Sequence, residues 1–214
     1  MFVKEKVFQQ VENPSEEQKR KALIMVHCFV IEKRDGRIKA RAVTDGRSQQ
    51  RYTEEKTYSP MVKLESIMLN AFVDAYEGRH VVTVDIKGAF LKAKVPEDME
   101  LIVKIDGELM HLMCKKDCEL KHNCQKTLYL QCKKALYGHI EAARLFCIDL
   151  DHTLQQKLKF TQNQYDPCVY NKVTEDEKVT MRIKVDDLKI SSKSLDKLNR
   201  VVKQLKEVYG EFRS

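Results

Sequence analysis

Ile183-Lys184-Val185-Asp186-Asp187-Leu188-Lys189-Ile190 decides how this chain folds. Residues 169–173 and 179–185 read as strands around the acidic turn Thr174-Glu175-Asp176-Glu177, which predicts a hairpin. Asp186-Asp187 then interrupts a strand-like segment that Leu188-Lys189-Ile190 resumes. A second carboxylate breaks the same pattern. Val81-Val82-Thr83-Val84 predicts a buried strand, and it ends on Asp85. Carboxylates in apolar strands are costly unless paired or metal-bound. If Asp85, Asp186 and Asp187 converge, they offer the oxygen ligands that Mg²⁺ prefers. Two such ions about 3.5–4 Å apart clamp the attacking and leaving oxygens of a phosphoryl transfer. The plain alternative is that each Asp caps a turn.

The rest of the chain supplies hairpins and helices. Residues 22–31 form an apolar, β-branched run, Arg34-Asp35-Gly36 signals a turn, and residues 38–43 alternate. This predicts a hairpin with basic Lys39 and Arg41 on one face of its return strand. Leu64, Ile67, Met68, Ala71, Phe72 and Ala75 recur at spacings of three and four, which predicts an amphipathic helix with that face inward. Residues 101–105 and Leu128-Tyr129-Leu130 read as strands. Phe146, Leu150, Leu154 and Leu158 mark a second helix. Leu195, Leu198, Val202, Leu205 and Tyr209 mark a last one, capped by Ser194. Residues 7–20 read as a polar segment broken at Asn13-Pro14-Ser15. Hairpins with interspersed helices predict an α+β fold, not a doubly wound one.

Composition excludes little. The 214 residues suit one domain or two packed subdomains, and 43% hydrophobic with 33% charged residues is a globular balance. Net charge is +7, and residues 1–63 hold 14 Lys and Arg against 9 Asp and Glu. That excess permits a polyanionic partner without requiring one. No run of apolar residues is long enough for a membrane span, and Met1-Phe2-Val3-Lys4-Glu5-Lys6 lacks a signal-peptide core. Seven Cys, an odd number, read as reduced thiols of an intracellular protein, cytoplasmic or nuclear and not secreted. Cys114, Cys118, Cys124 and Cys132, with His111 and His122 between them, lack the paired spacing of a zinc site. They read as a Cys-rich surface insertion.

Several words of the sequence resemble a known family. Thr83-Val84-Asp85-Ile86-Lys87-Gly88-Ala89-Phe90-Leu91 resembles the D-[VI]-K-G-A-F-L motif of copia-type retrotransposon reverse transcriptases. Lys134-Ala135-Leu136-Tyr137-Gly138, Asp166-Pro167-Cys168-Val169-Tyr170 and Val185-Asp186-Asp187 resemble their K-A-L-Y-G, D-P-C-[LV]-Y and V-D-D. Lys39-Ala40-Arg41-Ala42-Val43 resembles K-A-R-x-V of their fingers. Tyr58-Ser59-Pro60 with Leu64-Glu65-Ser66-Ile67 resembles Y-S-P-x-V-x-x-E-S-I. The matches stand in the family's order.

The resemblance implies a right-hand polymerase with an antiparallel palm sheet packed on helices. Fingers would cover residues 21–80 and palm residues 81–214, after an N-terminal segment 1–20. It implies RNA-directed DNA synthesis on a primer and an RNA or DNA template, with deoxynucleoside triphosphates as substrates. Asp85, Asp186, Asp187 and the backbone carbonyl of Ile86 would bind two Mg²⁺, with Mn²⁺ as a substitute. Arg41, assisted by Lys39, would hold the triphosphate. Phe90 would be the steric gate under the sugar. Tyr137-Gly138 would lie beside the templating base pair. Integrase and RNase H would be further parts of the polyprotein, and no membrane partner is implied.

The chain also departs from the pattern. Lys184 stands where family members carry Tyr or His, and strand alternation predicts it on the same face as Asp186. Glu141-Ala142-Ala143-Arg144 replaces Q-A-P-R. The sequence stops at Ser214 with the thumb and primer grip absent, which reads as a partial gene product. A non-catalytic remnant and a nucleic-acid-binding module are therefore the alternatives to an enzyme.

Overall fold

The computed structural model describes residues 6–32, 34, 36, 38–49, 59–117, 120, 126–174 and 177–213. Residues 1–5, Asp35, Tyr58, Cys118, His122, Cys124, Glu175 and Asp176 lie outside them. In chain order the elements are β1 (Phe8–Gln10), α1 (Glu16–Lys21), β2 (Leu23–Glu32), β3 (Ile38–Thr44), α2 (Leu64–Tyr76), β4 (His80–Ile86), β5 (Ile102–Asp106), α3 (Gly107–Lys116) and β6 (Thr127–Cys132). They continue as α4 (Ala142–His152), β7 (Thr161–Gln162), β8 (Val169–Thr174), β9 (Glu177–Lys184), β10 (Asp187–Ser192), α5 (Leu195–Tyr209) and β11 (Phe212–Arg213). This is the expected mixture of helices and largely antiparallel sheet.

Two compact units form, one from residues 1–57 and 90–145, the other from 58–89 and 146–214. This differs from the expected division at residue 80. Residues 90–145 join the first unit because β2 pairs β5 in parallel, Leu23 opposite Val103. Residues 64–79 join the second because Asp74 and Arg79 bond Lys189 and Thr180.

The first unit holds a mixed sheet in the order β1-β6-β5-β2-β3. The hairpin expected of residues 22–43 is present as β2–β3, with Glu32 opposite Ile38. Its core gathers Val7, Leu23, Leu101, Val103, Ile105, Leu128, Leu130 and Cys132. Residues 1–20 are therefore not merely polar: Val7 is fully buried and β1 pairs β6. The helix α1 has a local sequence signal. Ser15 Oγ accepts from Gln18 N and Gln18 Oε1 accepts from Ser15 N, a reciprocal cap spelled by Ser15-Glu16-Glu17-Gln18. Cys132 sits in the core, with burial pushing its thiol well above the ordinary range, so the Cys-rich segment is not wholly a surface insertion.

Tyr137 and Gly138 dock onto the end of β3. Thr44 donates its N–H to the Tyr137 carbonyl at 2.9 Å and its hydroxyl to the same oxygen at 3.1 Å. Gly138 has φ +90, and a Cβ there would collide with the Thr44 carbonyl. Two residues on, His139 and Glu141 are buried, with Nε2 and Oε2 3.8 Å apart. Burial pushes the His139 imidazole down to about 4, so the neutral ring outcompetes an ion pair.

The second unit is a sheet in the order β11-β4-β10-β9-β8-β7. Alternation sends Val84, Ile86, Leu188, Ile190, Met181 and Ile183 to one face, all buried. The α5 helix packs on β4 and β10 through that face, with Leu198, Val201, Leu205 and Tyr209 inward. This corrects the expected stripe, since Leu195 is exposed and Val201 replaces Val202. Phe146, Leu150, Leu154 and Leu158 are buried as their spacing predicted.

The α2 helix reverses its expectation. Leu64, Met68 and Phe72 face solvent, and Asp74 is its buried residue. The sheet face beneath it carries Lys189, Arg182 and Thr180 and selects polar partners. Asp166 holds the start of α2, accepting from Lys63 N at 2.9 Å and from Cys168 N at 2.9 Å. Its carboxyl lies below the ordinary range because the hydrogen bonds from Ser66, Lys63 and Cys168 outweigh its desolvation.

Gly138, Gly78 and His139 each give a measurable outcome. Gly138→Ala should lower stability by about 2–4 kcal/mol in urea titrations, since the collision adds to the backbone strain. Gly78→Ala, with φ +62 but nothing within 4 Å of its Cβ, should cost only about 1 kcal/mol. His139 makes stability pH-dependent. Its folded-state value lies below the ordinary 6.5, so between 6.5 and about 4 the unfolded chain binds the proton more readily. The contribution is complete above 6.5 and is lost as pH falls. Melting curves across that window should flatten in His139→Gln.

Candidate active site

The β4–β10 ladder brings two of the sequence-identified carboxylates together. Asp187 is the register partner of Asp85, and Asp187 also faces Lys184 across β9–β10. Ile86 donates its N–H to the Asp186 carbonyl at 3.1 Å. That bond marks Asp85–Asp187 as a non-hydrogen-bonded pair, the closer kind, with Cα atoms about 4.5 Å apart. Their side chains share one sheet face. Like charges directly opposite are unfavourable, and a cation between them removes the penalty.

Val185 and Asp186 form the two-residue turn between β9 and β10. Val185 has φ +58, a left-handed conformation that a β-branched residue rarely adopts. The strain is on the order of 1–2 kcal/mol. The ladder on one side and the Ile86–Asp186 bond on the other hold it. The turn also corrects the expected position of Lys184. Alternation stops at Val185, so Lys184 shares its face with Asp187 and Asp85, not with Asp186 by strand periodicity.

Asp187 is exposed, and Asp85 and Asp186 are partly so. Among the described residues, no three His, Cys, Asp or Glu side chains gather tightly enough to enclose an ion by themselves. The donor chemistry still fits Mg²⁺. That ion is commonly bound through one or two carboxylates, with water and substrate phosphates completing its shell. An opposed carboxylate pair on an accessible face meets that demand. The Ile86 side chain holds no donor atom, so only its backbone carbonyl could serve as a ligand.

Phe90, Tyr137 and Gly138 come together in the other unit. The Phe90 and Tyr137 rings lie 4.8 Å apart at 52°. Ala89 and Leu91 are buried to within 2% of full, whereas Phe90 is only half-buried. Its apolar neighbours therefore do not make it a core residue. Lys39 and Arg41 lie on β3 opposite Ile31 and Phe29, and their side chains lie outside the described residues. Sequence reading missed the Asp74–Lys189 pair at 2.5 Å, although an Asp inside an apolar helical run was a visible signal.

Comparison with known proteins agrees with the motifs. The family described as reverse transcriptase (RNA-dependent DNA polymerase) matches residues 5–210. A curated relative, the Retrovirus-related Pol polyprotein from transposon TNT 1-94 of Nicotiana tabacum, is 28% identical over 171 residues. The match covers 75% of this chain and 12% of that polyprotein, so the chain spans about an eighth of its relative. Among solved structures, the foamy viral protease-reverse transcriptase dRH in complex with ds DNA aligns with 97% of this chain and 27% of its own. That likeness has a TM-score of 0.48 at 11% identity. No helix among the described residues is long and apolar enough to cross a membrane. With the family match spanning nearly its whole length and the copia-type motifs in order, the chain belongs to the reverse transcriptase (RNA-dependent DNA polymerase) family.

Proposed function

We propose that this chain is the nucleotidyl-transferring part of a copia-type retrotransposon polyprotein. It extends a primer on an RNA or DNA template with deoxynucleoside triphosphates. The observation that carries this reading is Asp187 directly opposite Asp85, beside Asp186, in a chain of this family.

Asp85, Asp186, Asp187 and the Ile86 carbonyl would hold two Mg²⁺, or Mn²⁺ in their stead. When bound there, the ions would supply the charge that activates a primer 3′-hydroxyl and neutralises a departing pyrophosphate. The chain's own residues do the rest. Arg41 and Lys39 bind the triphosphate, as a guanidinium fork and an ammonium suit phosphate oxygens. Tyr137 and Gly138 present a ring and a bare backbone to the base pair. Phe90 underlies the sugar, where its ring crowds a 2′-hydroxyl and cannot hydrogen-bond it well.

Metal binding is testable without turnover. Ligand linkage at about ten times Kd adds about 1.4 kcal/mol, so Mn²⁺ should raise the melting temperature by about 3–5 °C. Asp85→Asn should abolish that rise while folding normally. An equal Mn²⁺ shift in both proteins would remove the metal site from these residues.

The gate has its own readout. Phe90→Val should raise the ratio of ribonucleotide to deoxynucleotide incorporation in primer extension by about tenfold or more. A ring that served only packing would instead lower thermal stability and both activities together, leaving the ratio unchanged.

A further inference from the structure

Lys189 stands on the same face as the carboxylate row. It follows Asp187 by two residues on β10, a step of about 6.6 Å along a strand. Its register partners are Thr83 on β4, two residues before Asp85, and Arg182 on β9. A flexible four-carbon stem spans such a step, so the ammonium can reach the Asp187 carboxylate. Arg182 beside it adds like charge, which disfavours leaving Lys189 in place without an anion.

An anion is supplied from outside the sheet. Asp74 on α2 receives the Lys189 ammonium at 2.5 Å, with Asp74 7% and Lys189 19% exposed. The other Asp74 oxygen is buried and finds no hydrogen-bond partner among the described residues. Asp74 is the buried residue of a helix whose Leu64, Met68 and Phe72 lie in solvent. Burying a carboxylate in place of those apolar side chains is unfavourable unless it meets a charge. Lys189 is that charge.

Resting on the metal-site reading above, we infer that Asp74 is a positioning residue that draws the Lys189 ammonium away from the metal-binding carboxylates. It keeps the Lys189 ammonium from occupying the place of a divalent cation. The pair also ties α2 to the sheet, so two roles must be separated.

The experiment is Mn²⁺ titration of the full 214-residue chain, following free Mn²⁺ by its paramagnetic signal, with melting curves as a folding control. Asp74→Asn should weaken Mn²⁺ binding about fivefold to tenfold, because Lys189 then competes at Asp187. Asp74→Asn combined with Lys189→Met should restore binding to the wild-type level or better. Asp74→Leu with Lys189→Met should do the same while keeping an uncharged, packed contact. Unchanged Mn²⁺ affinity in Asp74→Asn overturns the inference. So does a double variant as weak as Asp74→Asn, since loss of the α2 anchor alone would then explain the defect. Wild-type chain with no Asp85-dependent Mn²⁺ binding would overturn the metal-site reading itself, and this inference with it.

Discussion

The β4–β10 register is the constraint on which the candidate site depends. Val84, Ile86, Leu188 and Ile190 are buried to within 3% of full on the face that packs against α5. Fully burying each such side chain is worth about 1.5–3 kcal/mol. Slipping either strand by one residue would turn its two apolar residues outward and drive its own Asp, Asp85 on β4 or Asp187 on β10, into the core. The apolar face thus holds the carboxylates opposite one another, although their mutual repulsion opposes it. The core determines the geometry of the polar face.

That polar face has to manage several charges of both signs. Lys184, Arg182 and Lys189 share it with Asp85 and Asp187, following the strand alternation. The inverted polarity of α2 belongs to the same problem. A helix that turned Leu64, Met68 and Phe72 onto this face would take the Asp74 carboxylate away from Lys189. The structure instead turns Asp74 inward and leaves the apolar stripe in solvent. The strained Val185 turn has a similar logic. It is tolerated because the ladders flanking it are more favourable than the strain is costly.

The first unit is organised by close backbone approach. Gly138 lies against Thr44, and Gly46 against Gly138, at separations where a Cβ would collide with a carbonyl. The glycine of the K-A-L-Y-G word is therefore required by packing within the unit, apart from any contact with a substrate. The same segment turns Phe90 and Tyr137 toward each other. Its buried His139 makes the stability of this unit respond to acid.

By itself the sequence determined the elements whose signals are local. The β-branched runs became β2, β4, β9 and β10, the four-residue spacing became α4 and the π-helical turn Thr153–Lys157 that continues it, and Ser194 capped α5. The Ser15 capping box is equally local. The motif words singled out Asp85, Asp186 and Asp187 as candidates without any knowledge of their distance. What the tertiary structure alone decided was partnership. Lys184 faces Asp187 because the turn begins at Val185, and α2 shows its apolar side to solvent because the sheet beneath it is charged. Residues 90–145 join the first unit because a parallel ladder links β2 to β5. A local pattern records the period of a side-chain stripe. Which stripe is buried depends on residues a hundred positions away, and only the folded chain brings those into contact.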